Sequence, residues 1–142
     1  MYGIKSLMKK LTDTNTILRY LLKDNKELFQ KAYDYFEKVR TGKEEALILE
    51  SVFTEVVYVL EKFYKVPRQE ISDKLREFLL YKGILNDDRK ELIRSLEIFS
   101  SSKLAIVDCI LCGKAKEMEF EIFSFDDRLN KICRMKNDEK DK

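Results

Sequence analysis

The stretch KKLTDTNTILRYLL, residues 9–22, is the part of the sequence that is most informative about the fold. A short apolar lead-in ends abruptly at Asp13, and three further polar residues follow it. Apolar residues then recur at helical spacing from Ile17 to Leu22. This order predicts a strand that ends beside Asp13 and a helix directly after it. Because open α/β sheets place their chemistry at the carboxyl ends of strands, Asp13 is a candidate site residue.

Short apolar runs alternate with helical patterns along the rest of the chain. Residues 46–49 and 121–125 have the composition of buried parallel strands, and residues 84–85 form a shorter candidate. The residues expected to begin the helices between them are Asn25, Ser51, Pro67 and Asp87 or Asp88. The pattern predicts a three-layer α/β/α fold, in which helices cover both faces of a short parallel sheet of about four to five strands.

Length and composition are those of one folded domain. The chain has 142 residues, of which 44% are hydrophobic and 38% charged, and its formal net charge is +2. We expect a single domain over residues 1–142, with a core of about residues 7–133 and a charged, frayed tail at residues 134–142. The N-terminal segment has no long apolar run before its first charges, and no stretch reaches the length of a membrane span. We therefore expect neither a signal sequence nor a membrane anchor.

The chain contains no histidine, which excludes Ser-His and Cys-His catalysis and metal binding by imidazole. It contains three cysteines, and this odd number favours a reducing, cytoplasmic setting. Cys109 and Cys112 form a CxxC inside a predicted helix. Without a second pair they lack the ligands of a zinc site, so we interpret them as small buried hydrophobic side chains.

Four carboxylates stand in apolar surroundings rather than on charged helix faces. Asp13 and Asp126 each follow a predicted strand, Asp108 interrupts the apolar run LAIVDCILC, and Glu55 borders the apolar arc of its helix. An ionised carboxylate in a core is costly unless it has a partner. A buried Arg or Lys beside each acid is one remedy. A shared remedy is a divalent cation such as Mg²⁺ or Mn²⁺, which also suits phosphodiester hydrolysis because it activates water and neutralises the leaving oxygen.

These motifs together resemble the PIN domain family, and within it the small prokaryotic VapC-type toxin ribonucleases. The resemblance covers about residues 9–132. It rests on the order of DTN after the first strand, an isolated Glu in a mid-chain helix, VD inside an apolar helix and SFD after the last strand. It implies that Asp13, Glu55, Asp108 and Asp126 bind the divalent metal and carry out the cleavage of RNA. Glu55 has a second explanation, since the helix dipole favours an acid near a helix N-terminus.

The resemblance also assigns supporting positions. Asn15 and Ser124 match polar residues that orient the carboxylates, and Asp127 is an extra acid that either assists the site or caps the final helix. The basic residues that lie near the four acids in sequence are candidates for contacts with RNA phosphates, although a solvated helix face is the commoner role for each of them: Arg19, Lys114 and Arg128.

Several large apolar residues after Glu55 exceed what one core needs. They are Tyr58, Phe63, Tyr64, Phe78, Leu79 and Leu80. Surplus apolar surface of this kind suits a symmetric dimer or a bound partner helix. The family resemblance implies both a homodimer and an antitoxin protein that covers the active site.

The carboxylates predict a divalent-metal-dependent endoribonuclease, and the resemblance implies that it acts as the toxin of a type II toxin–antitoxin pair. Two alternatives stay open. One is a PIN nuclease that processes RNA or cleaves DNA outside such a pair. The other is a non-catalytic PIN module that binds RNA or serves as a scaffold.

Overall fold

A computed structural model describes residues 8–141, with side chains through residue 134. Residues 1–7, on which the expectation of no signal sequence mainly depends, lie outside the described residues. The sheet is small: strands β1 (Lys9–Leu11) and β2 (Glu45–Leu47) pair in parallel, and Ile84 adds a single parallel bridge to Ala46. The prediction of four to five strands is therefore wrong for the part of the chain that is described.

Helices make up most of the structure and flank this parallel pair. Their bounds are α1 (Thr14–Leu22), α2 (Lys26–Thr41), α3 (Glu50–Tyr58), α4 (Arg68–Leu79), α5 (Arg89–Ser100), α6 (Ile106–Met118) and α7 (Asp127–Asp141). A π-helical turn, Val59–Phe63, continues α3. Within residues 8–141, no helix has the length and apolar character needed to cross a membrane.

Local capping explains where the first two helices begin and end. The Asp13 carboxylate accepts the backbone N–H of Thr16 at 2.9 Å, and the Asn25 side chain accepts that of Leu28 at 3.0 Å. Gly42 ends α2 with a φ of 86°, a left-handed conformation that glycine adopts without a steric penalty. These limits confirm the predictions for α1 and α2. The predicted cap at Ser51 is wrong, because α3 already begins at Glu50.

Residues 121–125 do not form the predicted buried strand. Phe123 and Phe125 are 90% and 91% exposed, and their rings contact each other at the surface. An apolar run becomes a strand only when a neighbouring strand satisfies its backbone N–H and C=O groups. Among residues 8–141, no strand lies beside residues 121–125 to do so.

The core lies where the helices pack on the sheet and on one another. Helix α5 packs closely along α6 at Gly113, where an added Cβ would lie 2.5 Å from the Ser95 hydroxyl oxygen. Phe78 and Leu79 are 2% and 0% exposed, so they belong to this core and not to the surplus surface that we predicted. Tyr58, Phe63, Tyr64 and Leu80, the other members of that set, are exposed.

A disulfide joins Cys112 of α6 to Cys133 of α7 and so holds the C-terminal helix against the domain. Cys112 is buried, as interpreted from the sequence, but the sequence did not predict its disulfide. Cys109 is a buried free thiol, as predicted, and its burial raises its pKa to about 12. At neutral pH this thiol is protonated and chemically inert.

Candidate functional site

Asp13 lies between the end of β1 and the start of α1, as the sequence predicts. Its side chain is exposed, and hydrogen bonds from the Thr16 side chain and backbone lower the pKa of Asp13 below its ordinary value. The preceding residue, Thr12, has a buried hydroxyl oxygen without a hydrogen-bond partner among the described residues. The end of β1 therefore presents an ionised carboxylate next to an unsatisfied hydroxyl.

Glu55 meets this end of the sheet through Thr14. The Thr14 hydroxyl donates a hydrogen bond to the Glu55 carboxylate at 2.5 Å, which joins the start of α1 to the middle of α3. Glu55 is the sixth residue of α3 and so stands beyond the first turn, where the helix dipole acts most strongly. The hydrogen bond from Thr14, and not the dipole at the helix N-terminus, therefore holds the Glu55 carboxylate in place. The sequence signal for Thr14 is only its place in the DTN motif.

Asp108 occupies the first turn of α6, where the helix dipole favours a carboxylate. It is half-buried, while its apolar neighbours Val107 and Leu111 are 61% and 44% exposed. The helix turns Ile106, Cys109 and Ile110 inward instead. The apolar run around Asp108 is therefore not a core on all sides, because α6 buries only one of its faces.

Asp126 caps α7. Its carboxylate accepts the N–H of Leu129 at 3.1 Å, and its own N–H donates to the Ser124 hydroxyl at 3.0 Å. The Asn130 amide donates to the Ser124 carbonyl at 2.9 Å and so fixes the turn. The suggestion that Asp127 caps this helix is wrong, since Asp127 is its first residue.

The premise that these four acids lie in a core does not hold. Asp13, Glu55 and Asp126 are exposed, and Asp108 is half-buried. Three of them lie at or near the start of a helix, and Glu55 accepts a hydrogen bond. Within the described ranges, no three Asp, Glu, Cys or His side chains are grouped closely enough to hold a metal ion. Carboxylate and hydroxyl oxygens do match the donors that hard divalent cations take. The donors thus fit such an ion in kind, but in this structure they do not surround one.

The basic residues named from the sequence are placed differently from one another. Arg19 donates to Asp24 at 2.6 Å and to Asn15 at 3.4 Å, and its pKa is raised, chiefly by a hydrogen bond with Tyr64. Asn15 therefore contacts Arg19, and its predicted support of the Asp13 carboxylate stays a prediction.

Lys114 and Arg128 complete the predicted basic set. Lys114 forms a 2.7 Å ion pair with Glu50 at the start of α3, and this hydrogen bond raises the pKa of Lys114. Arg128 is exposed on the first turn of α7.

A cavity of about 650 Å³ lies beside Glu55, between α3 with its π-helical turn and the segment that leads into α6. Arg68 braces it. Its guanidinium donates to Glu61 at 2.8 Å and to the carbonyls of Phe99, Ser102 and Leu104 at 2.7–2.9 Å, and it lies 3.9 Å above the Phe99 ring. Sequence reasoning missed this brace, because an arginine after a proline gives no sign of partners some 30 residues away.

Comparison with known proteins gives the family. The PIN domain family matches residues 10–135 of the chain. A VapC ribonuclease of Aquifex aeolicus (strain VF5) is 31% identical over 125 residues, which cover 87% of this chain and 91% of that protein. No solved structure was found to match the chain. Since the family match spans most of the sequence and the relative is covered almost in full, this chain belongs to the PIN domain family.

Proposed function

We propose that this protein is a divalent-metal-dependent endoribonuclease. The observation that carries the proposal is the 31% identity to a protein named as a VapC ribonuclease, of which the chain covers 91%. The four acids singled out in the sequence lie within the matched residues, 10–135. Two of them, Asp13 and Glu55, have Thr14 between them as a common neighbour.

The carboxylates of Asp13, Glu55, Asp108 and Asp126 would hold Mg²⁺ or Mn²⁺ through oxygen ligands. The bound ion would supply an activated water and neutralise charge on the phosphate. Thr14 orients Glu55, and Ser124 fixes the backbone of Asp126. Asn15 and Asp127 lie beside the set, and the Thr12 hydroxyl is a further oxygen at the same end of β1.

Among the three basic candidates for contacts with RNA phosphates, we favour Arg128. Arg19 and Lys114 are already held by Asp24 and Glu50 at 2.6 and 2.7 Å. Arg128 is exposed on the first turn of α7, two residues after Asp126. We assign to Arg128 the contact with a phosphate near the cleaved bond, and to the other two a share in the electrostatic attraction of RNA.

We further propose that the protein is the toxin of a type II toxin–antitoxin pair and acts in the cytoplasm. A homodimer would bury the exposed apolar residues Phe63, Tyr64 and Leu80, which are 71%, 37% and 56% exposed. An antitoxin protein would cover the acid-bearing end of the sheet. The name of the Aquifex aeolicus relative supports the toxin assignment, and the exposed apolar surface supports the dimer. The cytoplasmic assignment has to accommodate the Cys112–Cys133 disulfide, because such bonds are uncommon in reducing compartments.

Cleavage assays with labelled RNA and DNA of the same sequence test the proposal. With Mg²⁺ or Mn²⁺ we expect internal cuts in RNA, none in DNA, and none in either after addition of EDTA. Cuts in DNA alone would point to a DNA nuclease, and a protein that binds RNA without cutting it under any of these conditions would contradict the enzymatic proposal.

A further inference from the structure

The cavity beside Glu55 has the size and the lining of a ligand site. Its volume of about 650 Å³ falls within the roughly 300–1,000 Å³ of pockets that bind small ligands or parts of larger ones. Tyr58 and Lys62 line one wall, and Lys103 and Val107 line the other. Glu55 faces the same cavity, so a chain bound there would pass a carboxylate that we place in the catalytic set.

Tyr58 presents a large exposed ring to this cavity. The side chain is 60% exposed, and it lies between Glu55 and Lys62 at spacings of three and four residues, which share a helix face. Exposed aromatic rings beside cations are the platforms on which single-stranded nucleic acids stack their bases. Such stacking tolerates any base, because every base has a π face.

The cations at the cavity differ in whether their charge is already used. Arg68 is committed to Glu61 and to three backbone carbonyls, so it shapes the cavity and does not offer a free charge. Lys62 lies 3.9 Å from Glu61, whose carboxylate is bound more closely by Arg68 at 2.8 Å. The Lys62 side chain is 60% exposed, and Lys103 is exposed on the opposite side. Two lysines at the rim thus complement a polyanion.

We propose that this cavity is a binding subsite for single-stranded RNA, in which one base stacks on Tyr58 and the flanking phosphates contact Lys62 and Lys103. The inference rests on the proposed function, because it concerns how the enzyme holds its RNA. The weakly paired Lys62 and the exposed Lys103 favour a phosphate backbone over an apolar protein helix. The Arg68 brace fixes both walls in advance, which reduces the cost of ordering the site on binding.

Fluorescence anisotropy with labelled rA8 and rU8 in EDTA tests the subsite without cleavage. We expect Tyr58→Ala to weaken the affinity for both RNAs about tenfold or more, and Tyr58→Phe to stay within about twofold of wild type. Replacing Lys62 and Lys103 together with Gln should reduce the slope of log affinity against log salt by about 1.4. Tyr33→Ala and Lys43→Gln, which change exposed residues away from this cavity, are the matched controls.

Three results would overturn the subsite: wild-type affinity in Tyr58→Ala, an equal loss in Tyr58→Phe, or no RNA binding by the wild type. A change in sedimentation of free Tyr58→Ala would likewise contradict it, since the ring would then belong to a protein interface. Cleavage by the wild type with Mn²⁺ is scored separately. Cleavage that is indifferent to Tyr58 refutes only the subsite, whereas Tyr58-dependent binding without cleavage refutes only the nuclease.

Discussion

The hydrogen bond between Thr14 and Glu55 gives Glu55 a structural role beside the catalytic one that we propose for it, and the two roles predict different results. The bond is 2.5 Å long, joins α1 to α3 and is solvent-exposed. Bonds to charged groups contribute about 1.5–3 kcal/mol, and exposure reduces this one to about 1 kcal/mol. Thr14→Val removes the bond and should lower the unfolding free energy by about that amount. Glu55→Gln keeps a carbonyl oxygen that can accept from Thr14 but loses the charge, so it should cost less, and adding it to Thr14→Val should cost little more.

Metal separates the two roles. If Glu55 only holds α1 against α3, neither Glu55→Gln nor Thr14→Val changes the affinity for Mn²⁺. If Glu55 is a ligand or positions a ligand water, Glu55→Gln should weaken Mn²⁺ binding and activity by roughly 10- to 100-fold. Thr14→Val should then have the smaller effect, because it leaves the carboxylate charge in place.

Urea denaturation gives the free energies, and calorimetric Mn²⁺ titration with parallel activity curves gives the metal dependence. Glu70→Gln, which alters an exposed glutamate of α4, serves as the matched control. Titration curves of Glu55→Gln that superimpose on those of the wild type would refute the catalytic assignment of Glu55 and leave three aspartates in the site.

Three further predictions follow from the structure. Asp13→Ala removes the cap of α1 and should cost about 1 kcal/mol in urea denaturation, whereas Asp13→Asn should stay within a few tenths. Because the folded state lowers the pKa of Asp13, the charged group contributes fully above the unfolded pKa. Wild-type stability should therefore fall relative to Asp13→Asn below about pH 4, and parallel pH profiles would contradict this. Reducing the Cys112–Cys133 disulfide, which links residues 21 apart, should cost about 3 kcal/mol. Without reductant, thiol labelling should modify no cysteine of the folded protein and only Cys109 after unfolding. Labelling of all three cysteines would refute the disulfide. Phe63→Ser should convert a dimer to monomers in sedimentation velocity, and a monomeric wild type would refute the proposed interface.

Local chemistry was what the sequence predicted well. The starts of α1 and α2 depend on a side chain that accepts an N–H three residues on, and the end of α2 depends on a glycine at positive φ. Such interactions lie within a few residues, so Asp13, Asn25 and Gly42 could be recognised in the sequence.

Long-range pairing was what the sequence did not determine. The apolar run that ends at Phe125 suits a strand, but a strand needs a neighbour, and composition does not reveal one. Asp108 was placed in a core because both flanks are apolar. The start of α6 at Ile106 instead places Asp108 in the first turn, facing partly outward. The disulfide of Cys112 escaped prediction for the same reason, since its partner comes from another helix.

The four acids were singled out from their apolar surroundings, which did not prove to be a core, and from the order of individually weak motifs. Glu55 is connected to the DTN segment by Thr14, a contact that helical periodicity cannot reveal. The Arg68 brace and the rim of the neighbouring cavity likewise depend on where α4, α5 and α6 meet. Those contacts between helices depend on packing of residues far apart in the chain. The sequence therefore identified the candidate acids but not the residues that surround them.

Cleavage of a labelled RNA by wild type and Asp13→Asn in Mn²⁺ is the direct test of whether the protein is a metal-dependent ribonuclease that needs the Asp13 carboxylate. Asn caps α1 as Asp does, so this variant removes the charge while keeping the fold, which circular dichroism can verify. Asp34→Asn on α2 is the matched control. We expect metal-dependent cleavage by the wild type and the control, no cleavage in EDTA, and no cleavage by Asp13→Asn. Full activity of folded Asp13→Asn, or cleavage that survives EDTA, would contradict it.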